Sequence, residues 1–154
     1  LSLLCPFITV HIWDSLSKSQ ESMSTGIGIV CDVQANLVKA SMPKECTVFS
    51  AEAYAILTAL DLVEEWYNND SPNNNSVVIF SDSRSVLNAI ANNNLTVYKN
   101  KYILEIKKRY IKIWKKHKVK IILTWIPAHR GFAGNEIADK LAKQGAIGMA
   151  NHNI

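Results

Sequence analysis

Four acidic residues lie where separate predicted elements could bring their carboxylates together: Asp14, Glu52, Asp82 and Asp139. Carboxylates that lie close together raise one another's pKa, and desolvation adds to that penalty, so such a group stays ionised only with a cation between its members. Mg²⁺ and Mn²⁺ prefer oxygen ligands of this kind. Two such ions about 3.5–4 Å apart stabilise the attacking and leaving oxygens of an in-line displacement at phosphorus. The acids therefore predict hydrolysis of a nucleic-acid backbone.

Each of these carboxylates also has a simpler structural interpretation. Asp82 precedes a predicted helix and could serve only as its N-cap. Glu52 lies in the first turn of another predicted helix, where the helix dipole favours any acid. Asp139 could pair with Lys143 one turn later, and Asp14 could merely end a strand. The individual residues leave these alternatives open.

Composition limits the class of protein. A chain of 154 residues, of which 48% are apolar, predicts one domain that can bury a core. The three cysteines are too widely spaced for a zinc site, and their odd number argues against a disulfide framework, so an intracellular, reducing compartment is expected. No apolar run reaches the roughly 18 residues of a membrane span, so we expect no membrane partner.

Basic residues are concentrated in one segment. Ten of the seventeen Lys and Arg residues lie between Lys99 and Lys120, which favours a polyanionic partner. Apolar residues at helical spacing predict that the segment is an amphipathic helix with its lysines on the outer face, where they would capture phosphates or be merely solvated. The apolar face comprises Ile103, Ile106, Tyr110 and Ile113, and the outward lysines are Lys101, Lys108, Lys112 and Lys115. Trp66, Trp114 and Trp125 are predicted to be core or rim residues rather than base-stacking platforms.

Hydrophobic periodicity predicts one α/β unit with no internal linker. The first three strands follow one another closely, which predicts an antiparallel meander. The fourth is a continuous apolar run, typical of a strand buried on both faces. The predicted strands are Thr9–Trp13, Gly26–Val30, Leu37–Ala40, Val77–Phe80 and Val119–Trp125, and the predicted helices are Ser50–Tyr67, with Ser50 as its cap, Ser83–Ala91, Lys99–Lys116 and Asn135–Gln144.

Two neighbouring strings, Trp125-Ile-Pro-Ala-His-Arg-Gly131 and Gly134-Asn-Glu-Ile-Ala-Asp-Lys-Leu-Ala-Lys143, carry a specific family resemblance. With Phe80-Ser81-Asp82-Ser83 and Ser50-Ala51-Glu52-Ala53, they make the chain resemble type 1 ribonuclease H domains, most closely those attached to the reverse transcriptases of non-LTR retrotransposons. The resemblance implies a ribonuclease H-like α/β fold with a central mixed five-stranded sheet flanked by helices. It implies a domain over residues 7–147, with flexible flanking segments at 1–6 and 148–154.

The function implied by the resemblance is endonucleolytic hydrolysis of the RNA strand of an RNA–DNA hybrid, with two Mg²⁺ ions or Mn²⁺ as a substitute. The partners implied are the hybrid and a reverse transcriptase domain in the same parent chain, and the isolated domain is expected to be monomeric. Two alternatives are a catalytically inactive hybrid-binding domain and another metal-dependent nuclease of the same superfold, such as an integrase or a 3′–5′ exonuclease.

The resemblance also implies residue roles. Asp14 would bridge both metals, Glu52 and Asp82 would bind one ion, and Asp139 would complete the second site. His129, in the loop before the signature helix, would assist proton movement or product release, although a loop histidine is often merely solvated. The residues expected to contact nucleic acid are Ser15, Lys18, Ser83, Arg84, Lys108, Lys112 and Asn135, the last of which could instead cap its helix.

One motif departs from the family pattern. The first strand of the family usually ends in Thr-Asp-Gly-Ser, whereas this chain has Trp13-Asp14-Ser15-Leu16. Glycine there lets the backbone approach the substrate closely or adopt a conformation closed to other residues. We therefore expect an active but weakened nuclease, with the Ser-rich loop from Ser15 to Ser24 still able to reach a phosphate.

Overall fold

The structure is a computed structural model that describes residues 8–19, 22–31, 37–42, 47–69, 72–73, 75–92 and 100–127, with the backbone alone described for the first three ranges. Three strands come first, followed by a helix, a strand, two helices and a last strand. The strands are β1 (Ile8–Ser19), β2 (Ser22–Cys31), β3 (Leu37–Met42), β4 (Ser76–Ser81) and β5 (Lys120–Trp125). The helices are α1 (Val48–Asn69), α2 (Arg84–Ala91) and α3 (Lys101–His117).

The strands form one sheet in the order β3-β2-β1-β4-β5. Strands β1, β2 and β3 are antiparallel neighbours, as the meander prediction requires, whereas β4 is parallel to β1 and β5 is parallel to β4. The β4–β5 register runs from Ser76 opposite Lys120 to Ser81 opposite Trp125. Because β1, β4 and β5 are parallel, residues that follow their paired segments lie at the same edge of the sheet.

Strand β4 lies in the core. Val77 and Ile79 are fully buried and Val78 between them is also buried, so both faces of the strand are covered. This confirms the prediction made from its continuous apolar run. The strand can therefore hold the residues that follow it in a fixed position.

Helix α1 begins two residues earlier than predicted. Thr47, not Ser50, is its N-terminal cap, because the Thr47 Oγ1 accepts a hydrogen bond of 3.1 Å from the Ser50 backbone N–H. The buried face of the helix contains several alanines, which allow close approach to the sheet, and larger apolar residues that fill the core. These buried residues are Ala51, Ala53, Ala55, Ile56, Ala59, Leu60, Val63 and Tyr67.

Helix α3 packs against α1 through the predicted apolar face. Ile103, Ile106 and Ile113 are fully buried, and Tyr110 is partly buried against the same core. The Asn100 side chain caps the start of the helix by accepting from the Tyr102 N–H at 2.9 Å. Lys118 ends it in the left-handed conformation, with φ 57°. The amphipathic helix predicted from the isoleucine spacing is thus confirmed.

The segment from Ser15 to Ser24 was expected to be a loop, and that expectation was wrong. Ser15 pairs with Gly26, and the ladder between β1 and β2 continues to Ser19 opposite Ser22. The polar composition suggested a loop, but an antiparallel ladder satisfies the backbone groups whatever the side chains are.

Within the described residues, no helix combines the length and the apolar character needed to cross a membrane. The predicted helix Asn135–Gln144 lies outside the described residues.

Candidate active site

The carboxyl edge of the sheet gathers three of the predicted site residues. Asp82 immediately follows β4 and Ser83 follows Asp82. The described pairing of β1 with β4 ends at His11, opposite Phe80. Asp14 lies three residues further along β1. The parallel arrangement therefore brings the Asp14 backbone position to the same edge as Asp82.

Ser83 joins α1 to the turn between β4 and α2. Its Oγ donates a short hydrogen bond to the Glu52 Oε2 and accepts one of 3.4 Å from the Val86 N–H, which makes Ser83 the N-cap of α2. The Ser83 N–H in turn donates to the Ser81 Oγ at 3.1 Å. Both serine side chains are buried. The Ser83 hydroxyl is thus already bonded to Glu52 and to the helix, which competes with its predicted contact with nucleic acid. That contact stays a prediction.

The simpler interpretations of two carboxylates are wrong. Ser83 caps α2, so capping does not explain Asp82. Helix α1 starts at Val48 and has no acid in its first turn, so the helix dipole does not explain Glu52.

Glu52 and Asp82 repel each other electrostatically. The pKa of Glu52 is raised above its ordinary value of 4.5, first by burial and also by the negative charge of Asp82, while the hydrogen bond from Ser83 opposes the increase. A divalent cation between the two would remove this penalty, and carboxylate oxygens are suitable ligands for Mg²⁺ or Mn²⁺. The pair therefore fits a metal site.

The other predicted ligands cannot be placed beside them. Among the described side chains, no group of three His, Cys, Asp or Glu residues comes together. The side chain of Asp14 is not described, and Asp139, His129 and Asn135 lie outside the described residues.

The turn after Asp82 carries Arg84, predicted to contact nucleic acid. Arg84 is exposed, and its guanidinium carbon lies 4.1 Å from the centroid of the Trp125 ring. Trp125 also donates from its indole N–H to the Asp82 carbonyl oxygen, at 3.0 Å. We predicted Trp125 to be a core or rim residue, and its position beside Asp82 was missed. It depends on the register that pairs Trp125 with Ser81 across two parallel strands, which hydrophobic periodicity does not specify.

Two other predicted nucleic-acid contacts lie in the β1–β2 hairpin. Ser15 is opposite Gly26 and Lys18 is opposite Met23, so both lie on a strand rather than in a loop. Ser15 is the residue after Asp14 and therefore close to the carboxyl edge, whereas Lys18 is near the tip of the hairpin.

The four lysines of α3 that were predicted to face outward are exposed, but two of them have acidic partners. The Lys112 Nζ lies 2.7 Å from the Glu64 Oε1, and the Lys108 Nζ lies 3.1 Å from the Glu105 Oε1. Glu64 is on α1, and its side chain is only 8% exposed. Lys112 thus contributes to the contact between α1 and α3, which competes with its predicted role on a phosphate.

Arg109 completes this contact between the two helices. Its Nη1 lies 2.6 Å from the Asp61 Oδ1 and 2.8 Å from the Glu64 Oε2. Burial raises the pKa of Asp61 despite Arg109, whereas Glu64, with two cationic partners, has a lowered pKa. We did not predict this network, because nothing in the sequence of either helix specifies its partner across the interface.

The comparisons with known proteins agree with the residue strings. The family model for RNase H matches residues 9–147. Ribonuclease H of Campylobacter jejuni is 39% identical over 56 residues, which are 36% of this chain and 37% of that protein. The chain therefore matches about a third of the length of this curated relative.

Solved structures support the same fold. A ribonuclease H1 isolated from compost by a metagenomic approach has a TM-score of 0.66 at 18% identity, over 94% of this chain and 98% of that one. A foamy viral protease-reverse transcriptase, solved in complex with an RNA/DNA hybrid, has a TM-score of 0.61 at 18% identity, over 91% of this chain and 20% of that one. At such identities the likeness shows the fold, while the family match covers nearly the whole sequence. The chain belongs to the RNase H family.

Proposed function

We propose that this chain is a ribonuclease H that hydrolyses the RNA strand of RNA–DNA hybrids with two divalent ions, Mg²⁺ or in its place Mn²⁺. The observation that carries the proposal is the Glu52–Asp82 pair, joined through Ser83 at the carboxyl edge of the sheet in a member of the RNase H family. A partly buried carboxylate that a neighbouring carboxylate repels is unfavourable unless a cation occupies the space between them.

Each site residue of the chain would have its own role. Glu52 and Asp82 would hold one ion, with Ser83 keeping the Glu52 carboxylate in place. Asp14, from the neighbouring parallel strand, and Asp139 would complete the two-ion site. When bound, the ions would activate the attacking water and stabilise the leaving oxygen. His129 would move a proton or help to release the product.

The substrate would be held through its phosphates. Arg84 is exposed beside Asp82, and the outer face of α3 carries Lys108 and Lys115. Such contacts give affinity without reading base sequence. Recognition of a hybrid rather than a DNA duplex would depend on 2′-hydroxyl contacts and groove shape.

We infer a chain that acts beside a reverse transcriptase domain in a retroelement polyprotein, within a reducing intracellular compartment. The likeness to a viral protease-reverse transcriptase solved with an RNA/DNA hybrid supports this context. The mixed sheet of five strands would be the rigid frame of the site, and the isolated domain would be monomeric.

One assay tests the proposal. The chain is incubated with a labelled RNA–DNA hybrid, a matched RNA duplex and a matched DNA duplex, each with Mg²⁺, with Mn²⁺ and with a chelator. We expect cleavage of the RNA strand of the hybrid alone, leaving a 5′-phosphate and a 3′-hydroxyl, and none with the chelator. Equal cleavage of the DNA duplex would favour an integrase-like or exonuclease-like activity.

A second candidate function is binding of hybrids without cleavage. Ser15, in place of the usual family glycine after the first-strand aspartate, favours it. Tight binding of the hybrid with no metal-dependent cleavage would select this alternative.

A further inference from the structure

The backbone pairing between β4 and β5 ends beside the candidate site. Trp125 is the last residue of β5 and lies opposite Ser81, and the next backbone N–H, of Ile126, donates to the Ser81 carbonyl oxygen at 3.0 Å. The following carbonyl, that of Asp82, is bound by the Trp125 indole N–H at 3.0 Å. A side chain thus extends the ladder by one hydrogen bond past the end of the strand.

The same indole contacts the turn a second time. Its ring lies under the Arg84 guanidinium, at 4.1 Å, a distance suitable for a cation–π interaction. The Arg84 N–H also donates to the Asp82 carbonyl, at 3.1 Å. Trp125 therefore contacts the turn on both sides of Ser83, the residue that binds Glu52.

Packing does not account for Trp125. Its exposed fraction is 40%, so much of the ring makes no contact with the core. Indole N–H is a donor only, and here it binds the carbonyl of the residue that carries a candidate metal ligand. Trp114 on α3 is 49% exposed, with the Lys118 Nζ 5.1 Å from its ring centroid, and offers a matched comparison.

We propose that Trp125 is a positioning residue that fixes the Asp82 carboxylate relative to Glu52 and holds Arg84 at the edge of the site; this inference rests on the proposed function. The indole N–H acts on Asp82 through its peptide group, and the ring face acts on Arg84. The two contacts predict separate effects: loss of the N–H weakens metal binding, and loss of the ring weakens substrate binding.

Two substitutions separate these effects. Trp125→Phe removes the N–H and keeps an aromatic ring under Arg84, whereas Trp125→Leu removes both. Loss of an outer partner of a metal ligand commonly lowers metal affinity or activity 10–100-fold. We expect Trp125→Phe to weaken Mn²⁺ binding about tenfold and to lower kcat with little change in the KM for the hybrid. Trp125→Leu should raise the KM as well.

The test titrates the full chain with Mn²⁺ and measures the free ion by electron paramagnetic resonance, for the wild type, Trp125→Phe and Trp114→Phe. We expect weaker binding for Trp125→Phe alone, with melting temperatures within a few degrees of one another. Equal Mn²⁺ affinities for the three proteins would overturn the inference, as would a wild type that binds no Mn²⁺.

A measurement on the wild type keeps the inference testable if a variant fails to fold. In a nitrogen–proton spectrum, the indole N–H of Trp125 should exchange with solvent more slowly than that of Trp114, and its signal should lose intensity through paramagnetic broadening on addition of Mn²⁺. An indole N–H that exchanges as fast as that of Trp114 would contradict the hydrogen bond to Asp82. Hybrid cleavage is assayed separately: a wild type that binds Mn²⁺ through this arrangement without cleaving hybrids disproves the proposed function and leaves the positioning role intact.

Discussion

At the residue scale, the site contains an unfavourable interaction between two carboxylates, those of Glu52 and Asp82. Ser83 satisfies one oxygen of Glu52, yet burial and the charge of Asp82 still raise the pKa of Glu52. A carboxyl group whose pKa is higher in the folded than in the unfolded chain binds more protons when folded. Folded-state stability therefore decreases as the pH rises from about 4.5 through the raised pKa of Glu52.

Neutralising Asp82 should relieve this unfavourable interaction. With a chelator present, we expect Asp82→Asn to raise the melting temperature by a few degrees at neutral pH, because the repulsion of Glu52 is removed, while cleavage of the hybrid is abolished. The gain should fade near pH 4, where Glu52 is protonated. Thermal melts from pH 4 to pH 8 measure both effects. A variant that melts lower and cleaves normally would contradict the metal-ligand role.

Removing the Ser83 hydroxyl should have the opposite effect on stability. Ser83→Ala loses the cap of α2 and the hydrogen bond to Glu52, so we expect a loss of about 1 kcal/mol in the free energy of unfolding and a further increase in the pKa of Glu52. The control is Ser85→Ala, on the exposed first turn of the same helix, which removes a hydroxyl whose Oγ lies 3.4 Å from the Ser83 Oγ; it leaves the cap and the bond to Glu52 in place and should change stability less. Equal losses for the two variants would show that the Ser83 contacts contribute nothing specific.

At the element scale, α1 and α3 are joined by charges as well as by apolar side chains. Burial acts to raise the pKa of Glu64, but hydrogen bonds and charges from Lys112 and Arg109 outweigh it, so the net pKa is lowered. A carboxylate of lowered pKa stabilises the fold above its unfolded pKa, here about 4.5, and this contribution is lost as the pH falls through the folded value.

Glu64→Gln should therefore remove part of the acid sensitivity of the fold. At neutral pH we expect a loss of about 1.5–3 kcal/mol, the range for hydrogen bonds to charged groups, and little difference from the wild type well below pH 4. Glu105→Gln, which removes an exposed pair with Lys108, should lose less than about 0.5 kcal/mol. Denaturant unfolding at several pH values measures both, and a pH-independent loss for Glu64→Gln would contradict the charge network.

Two lysines of α3 differ in whether they take part in this charge network. Lys115 is exposed on the outer face, whereas Lys112 binds the nearly buried Glu64. Lys115→Gln should make the logarithmic salt dependence of hybrid binding shallower by up to about 0.9 for the lost phosphate contact, without changing stability. Lys112→Gln should lower stability and change the salt dependence less. Binding curves from 50 to 200 mM salt decide this, and an unchanged slope for Lys115→Gln would show that the lysine is only solvated.

At the scale of the whole molecule, local patterns predicted much of the fold, and the contacts between elements were harder to predict. Strand β4 and helix α3 followed from apolar runs and isoleucine spacing. The start of α1 was misplaced because Ser50 and Thr47 are both good caps, and only the folded geometry shows which one accepts the hydrogen bond. The hairpin over Ser15 was missed because its pairing depends on the neighbouring strand.

For the candidate site too, the sequence predicted individual residues better than the contacts between elements. Family strings indicated Glu52 and Asp82, and the structure brings them together. The contact from Trp125 to Asp82 depends on the register of two parallel strands, and the contact from Arg109 to Glu64 depends on how two helices pack. Such contacts join residues about 45 positions apart, where hydrophobic periodicity contains no information.

Whether the molecule is an enzyme or a binding module depends on Asp14 and Ser15. Asp14→Asn should lower cleavage by orders of magnitude, because a neutral amide cannot supply the charge that two ions require. Ser15→Gly should raise activity modestly by allowing closer backbone approach, but Ser15 pairs with Gly26, and a second glycine there should lower stability by about 0.5–1 kcal/mol.

The changes in cleavage activity and in stability are measured on the same set of variants. Single-turnover cleavage is compared below the melting temperature of the least stable variant, with Ser17→Gly, opposite Ser24, as the matched control for an added glycine in the same strand. Activity that rises with Ser15→Gly and not with Ser17→Gly would support a weakened enzyme. If Asp14→Asn leaves any metal-dependent cleavage unchanged, the activity comes from another source, and binding of hybrids without hydrolysis becomes the better account of this chain.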